Sequence, residues 1–176
     1  PNLMLAARVN TILKVSPSAL KFDTLLAYEI AQGTLDTLSL RVPRSLSVTR
    51  VLGQHIRDWR LEADAADPDT RRLVVALNQP VTKRYALQVI AEASLPKFPA
   101  EVATPVITPA DDVRASGHVA IGTDSAIHVV VAQSSGLSQI DAAAFPRQFL
   151  DEASPRTLPS DHAFYYTFPA SPYQLV

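Results

Sequence analysis

Apolar side chains recur at every second position through most of the first 93 residues, and this spacing confines the chain to β-structure. Successive side chains of a strand point to opposite faces, so strict alternation buries one face and leaves the other to water. Leu5, Ala7, Val9, Thr11, Leu13 and Val15 share one parity, against Arg8, Asn10 and Lys14. Leu20, Phe22, Leu26, Tyr28 and Ile30 repeat the pattern opposite Lys21, Asp23 and Glu29. Further runs cover Leu38 to Val42, Leu46 to Leu52, the trio Trp59, Leu61 and Ala63, then Leu73, Val75 and Leu77, and finally Tyr85, Leu87, Val89 and Ala91. Ser16-Pro17-Ser18, Gln32-Gly33, Pro43, Gly53 and Asp67-Pro68-Asp69 break these runs, and such residues favour turns for stated steric reasons.

The 14 prolines against 5 glycines predict stiff connections, because proline fixes φ and removes a ladder donor. Pro96, Pro99, Pro105 and Pro109 fall in one stretch too long for a tight turn, which is expected to cross between sheets or to lie as an extended edge. After it, residues 115–121 and 126–132 read as a hairpin about Gly122-Thr123-Asp124-Ser125. Residues 137–144 read as a strand, 147–153 as one helical turn ended by Pro155, and His162 to Phe168 as a strand, with Tyr173 starting the last. About eleven strands and no sustained helix predict an all-β antiparallel sandwich. A chain of 176 residues, 47% hydrophobic, is long enough to bury a core of its own. We expect one domain over 1–176, with a candidate subdivision near 94–112. The opening on Pro1 and the closing half-strand Tyr173 to Val176 lead us to expect a domain excised from a longer protein.

Composition narrows the function classes. With no cysteine, thiolate metal sites, Fe–S clusters, disulfides and cysteine nucleophiles are excluded. The net charge of −1 provides no field for nucleic acid. The charge is uneven, at +4 for residues 1–90 and −5 for 91–176. No apolar run reaches the roughly 18–20 residues of a membrane helix, so no direct membrane insertion is expected. The arginines between Arg41 and Arg84 lack interleaved exposed aromatics and read as a solvated face.

Candidate chemistry is sparse. His118 and His128 flank the expected hairpin and are the candidate pair for a metal, although no third ligand is placed by spacing. Asp161-His162 has no nucleophile elbow to serve. Tyr165, Tyr166 and Tyr173 are candidate rings for stacking a carbohydrate; the alternative for the segment 164–168 is a strand buried on both sides. Trp59 shares its parity with Leu61 and is expected in the core. No catalytic residue and no cofactor is expected.

One stretch carries a family cadence: Tyr28-Glu29-Ile30, Leu38-Ser39-Leu40-Arg41-Val42-Pro43, Val48 to Val51, Trp59, Leu73-Val74-Val75-Ala76-Leu77 and Tyr85-Ala86-Leu87-Gln88-Val89. Over residues 19–93 it resembles the amino-terminal β-sandwich, or supersandwich, that precedes the catalytic domain of M1-type metallopeptidases, and related bacterial envelope modules. The resemblance implies a fold only, because the family's zinc and substrate motifs have no counterpart here. The sequence thus leads us to expect a non-catalytic structural or interaction module of a larger bacterial, extracytoplasmic protein (periplasmic or cell-envelope). Its partners would be neighbouring domains or another protein. The alternatives are a carbohydrate-binding module using the aromatics of 164–173 and an accessory domain of a hydrolase whose active site lies elsewhere.

Overall fold

The computed structural model describes residues 2–97, 99–110, 113–123, 127–146, 164–170 and 173–176. Strand takes up 65% of the described residues and helix 2%, so the fold is all-β, as expected. The long strands are β1 (Met4–Val15), β2 (Ala19–Gln32), β3 (Leu35–Pro43), β4 (Ser47–Gly53), β5 (Ile56–Ala63), β6 (Thr70–Val81), β7 (Arg84–Ser94) and β9 (Arg114–Thr123). Shorter ones are β8 (Thr108–Pro109), β10 (Ser134–Ser135), β11 (Ser138–Ile140), β12 (Phe164–Phe168) and β13 (Gln174–Leu175).

A seven-stranded sheet runs β11-β12-β9-β1-β2-β7-β4, a four-stranded sheet runs β5-β6-β3-β8, and β10 pairs with β13. The predicted parity is the buried one. Val9, Leu13, Phe22 and Leu26 from the larger sheet share one core with Leu38, Leu40, Leu73 and Val75 from the smaller. A polar pair sits inside it, where the Thr11 and Thr24 hydroxyls lie 3.2 Å apart, satisfying each other across β1 and β2.

The proline-rich stretch does both things expected of it. It leaves β7 in the larger sheet and reaches the edge of the smaller one, where Pro109 pairs with Leu40 and needs no N–H. Its return gives the first departure from the expected antiparallel sandwich: β9 runs parallel to β1, Ala6 opposite Arg114 through Val15 opposite Thr123. A parallel pair requires a long crossover, and the passage from β7 through β8 provides it.

The predicted hairpin after β9 does not form. Both edges of β9 are already occupied, by β1 and β12. Residues 127–133 contain no strand. Instead the Ala132 N–H donates to the Val176 carbonyl, and the Val176 N–H to the Gln133 carbonyl, both at 2.8 Å. The expected strand over 137–144 is divided into β11 and a 3₁₀ turn at Ala142–Ala144. Asp124 and Ser125 of the expected turn, and the helical turn at 147–153, lie outside the described residues.

At Gly117 the backbone of β9 passes that of β1 with no room for a side chain. A Cβ there would collide with the Val9 carbonyl, which is backbone and cannot swing aside. Gly117→Ala is expected to cost about 3 kcal/mol by forcing β1 and β9 apart. Urea denaturation measures this; a loss below about 0.5 kcal/mol would be the ordinary response of an unconstrained site.

Candidate functional site

The three tyrosines chosen from the sequence do not share an exposed face. Tyr166 is buried in the main core with Phe168, and Tyr173 is buried against Phe168 at a ring-centroid distance of 4.7 Å. Tyr165 points the other way, half-buried, with its ring 5.5 Å from that of Phe145 in an edge arrangement. Strand β12 lies between β9 and β11, and Phe145 beside the 3₁₀ turn covers its outer side. The segment is therefore covered on both sides, and Tyr165, Tyr166 and Tyr173 do not come together on one exposed face.

The two histidines are also separated. His118 shares its face with Phe145, 5.9 Å away, and its Nδ1 lies 3.2 Å from Asn10 Oδ1. Burial, and then the Arg8 cation, hold its pKa below the ordinary imidazole value. His128 is exposed, beside Leu13, Val15 and Ile121, whose side chains belong to the opposite, inward face. His118 and His128 were paired by an expected hairpin that does not exist. Among the described residues no three His, Cys, Asp or Glu side chains come together. His162 is outside the described residues.

Trp59 corrects a second expectation. It lies opposite Val75, and Leu61 opposite Leu73, so its inward parity is as read. However, β5 is the edge of its sheet, and Ile56 and Leu61 pack on the core while Trp59 stays 37% exposed. Alternation specifies a face, whereas burial also requires an opposing sheet.

A site the sequence did not reveal lies at one end of the sandwich. There β2, β4 and β6 finish and β1, β3, β5, β7 and β9 begin. The chain passes between the two sheets at Gly33, His55 and Lys83, all with positive φ, at +87°, +58° and +105°. For His55 and Lys83 this conformation is unfavourable and must be held by its surroundings. The Asn78 N–H donates to the His55 carbonyl and the Ile30 N–H to the Lys83 carbonyl, at 2.7 and 2.8 Å. Gln79 Nε2 also lies 3.0 Å from His55 Nε2.

These crossovers frame a cleft of about 1840 Å³. Its inward row across β9, β1, β2 and β7 reads Ala115, Ala7, Tyr28, Tyr85. All four are buried, so the cleft opens past them, among the turns and the outward neighbours Ala6, Ala27, Ala86 and Ser116. The Tyr85 hydroxyl donates to the Gln54 carbonyl at 2.7 Å. It fits because residue 53 is glycine; a Cβ there would lie 2.5 Å from it. The Tyr28 hydroxyl is buried with no partner among the described residues. Arg8, Arg84, Arg114 and Glu29 line the cleft from the opposite, outward face of the larger sheet. Parity placed Tyr28 and Tyr85 in the core, correctly. The usable signals were the small residues Ala7 and Ala115 at the same level, but pairing that level required the β1–β9 register.

The buried phenols make stability pH-dependent. Burial, and then neighbouring Tyr85, push the Tyr28 pKa well above 10.0, and burial does the same for Tyr173 despite a hydrogen bond with Thr11. Burial pushes Tyr85 up to about 12. At pH above 10.0 the unfolded chain sheds these protons while the folded chain keeps them, so stability falls as pH rises. Each fully buried tyrosine should add a slope of about 1.4 kcal/mol per pH unit. Tyr28→Phe should flatten the alkaline limb by about that amount. Urea midpoints taken across this range measure it, and an unchanged slope would mean that Tyr28 ionises freely in the fold.

No family model matches the chain, and no curated protein sequence matches it. Its fold is similar to solved structures. Native leukotriene A4 hydrolase from Saccharomyces cerevisiae matches with a TM-score of 0.57 at 13% identity, over 98% of this chain and 28% of that one. The yeast enzyme in complex with bestatin gives 0.55 at 15% identity, over 97% and 28%. A mutant M1 zinc metallopeptidase from Deinococcus radiodurans, bound to a Tyr-Ser-Ala substrate, gives 0.52 at 12% identity, over 98% and 42%. This chain thus spans well under half the length of these proteins. The fold-level resemblance is to the amino-terminal region of M1-type metallopeptidases, and it extends from residues 19–93 to nearly the whole chain.

Proposed function

We propose that the chain is a non-catalytic accessory sandwich of a larger bacterial protein, working through its surfaces on neighbouring domains. The observation that carries this reading is the fold likeness itself. It takes in 98% of this chain while covering 28% and 42% of two hydrolases, and it lies in the region that precedes the catalytic part. Fold likeness does not transfer activity, so the reading assigns no chemistry to this chain. Residues 1–176 act in it as one unit, placed outside the cytoplasm. Exposed Trp59 on edge strand β5 is suited to such contacts, because aromatic side chains supply large area at interfaces.

The purified chain is expected to unfold cooperatively and to release no product from amino-acid p-nitroanilides, with or without added zinc. Saturable turnover that copurifies with the chain would defeat the non-catalytic reading. Fractionation of the source cells should place the chain outside the cytosol; recovery in the cytosolic fraction would remove the proposed location.

A further inference from the structure

We infer that β5 is a dimerisation edge, along which a second copy of this chain pairs antiparallel about a twofold axis at Trp59. The inference deepens the accessory reading and rests on it only for β5 as a contact surface. A chain that stays monomeric would remove the inference and leave that reading standing.

Strand β5 is the longest free edge of the two sheets. It pairs with β6, and among the described residues no strand takes its other side. The other sheet ends are shorter: β4 spans Ser47–Gly53, and β8 and β11 hold 2 and 3 residues. A free edge presents unpaired N–H and C=O groups that template another strand. Charged side chains normally block this, because an edge of one sign repels its copy. In β5 the charges alternate in sign instead. Asp58, Arg60 and Glu62 lie on the outward face, and Trp59 and Leu61 on the inward one. Edge β4 has no such match, since its one charge, Arg50, meets no carboxylate on that strand.

The twofold axis selects the register. An axis through one residue keeps the inward faces on one side and pairs that residue's neighbours crosswise. Centred on Trp59, it sets Asp58 opposite Arg60 of the second copy, and Arg60 opposite its Asp58. Centred on Asp58 or Arg60, it sets like charges against each other, which is destabilising. Centred on Leu61, it matches Arg60 with Glu62 but moves Trp59 opposite Ala63 and Asp58 opposite Asp64. Asp58 already pairs with Arg57, and Arg60 with Glu62, along the same strand. Such exposed pairs are weak alone. In the dimer they join into one network, with each Arg60 between two carboxylates. On the inward face the two indoles stand opposite one another, and aromatic cross-strand pairs are favourable. Trp59 is 37% exposed at the edge of its sheet, and a second copy extends the cover over it.

The test is sedimentation velocity on the full chain, from about 5 to about 500 μM. The contact is small, so half-dissociation is expected between about 10 and 100 μM. Asp58→Arg sets an arginine opposite Arg60, and Arg60→Asp sets an aspartate opposite Asp58. Each should weaken self-association about tenfold or more. Mixing the two variants should restore association, because both crossed pairs are then opposite in sign. Both side chains are exposed, and an unchanged Tm confirms that each variant keeps the fold. The sole tryptophan adds a second readout: its emission should move to shorter wavelength as the unaltered chain dimerises, and stay put in either variant alone. A monomer throughout the range overturns the inference. So does a dimer that neither reversal weakens, or a mixture that associates no better than the separate variants.

Discussion

The structure depends on burying one parity of β1, β2 and β7 against the inward parity of β3 and β6. Leu26, Leu40, Val42, Leu73, Val75, Leu87 and Val89 are all fully enclosed along this seam. Each such side chain contributes roughly 1.5–3 kcal/mol relative to exposure. A slip of one residue would turn every one of them to the other face, so the register is held tightly. β1 and β2 pair without interruption from Leu5 opposite Ile30 to Val15 opposite Leu20. Nothing comparable fixes the edge strand β5, where inward-facing Trp59 extends past the cover of the opposing sheet.

The end cleft is a consequence of this seam. Strands locked in register must change sheets somewhere, and three of the changes fall at the same end. The crossovers are short, so His55 and Lys83 accept left-handed backbone that glycine adopts at Gly33. Tyr28 is enclosed there, with its ring supplying core contact and its hydroxyl left without a partner. The same constraint that fixes the fold therefore creates the most chemically distinctive surface.

The first seven strands were legible in the sequence because apolar residues recur there at every second position, and their breaks fall at Pro17, Gly33, Pro43, Gly53 and Pro68. Past the prolines the pattern says less. β9 reads as a strand by its alternation, but nothing local specifies that its neighbour is β1, over 100 residues earlier. Without that pairing, 126–132 is the natural hairpin partner, and His118 and His128 become a pair. The parallel contact has one local trace, Gly117, whose missing Cβ admits Val9. Trp59 shows the same limit from another side: its face was readable, its position at an edge was not. The cleft was hidden because it is a property of a row across four strands rather than of any one of them.

In the larger sheet β9 joins the amino-terminal strands directly to those that follow the proline-rich stretch. The account therefore holds that the two halves of the chain open together. Native-state hydrogen exchange tests this most directly. Central amides of β9, such as Val119 and Ala120, should exchange only through the same global opening as Leu13 of β1 and Leu26 of β2, with equal free energies and equal dependence on denaturant. If β9 exchanged through a separate opening of markedly lower free energy while β1 and β2 stayed protected, the parallel pairing would not be integral to the core, and the account would be contradicted.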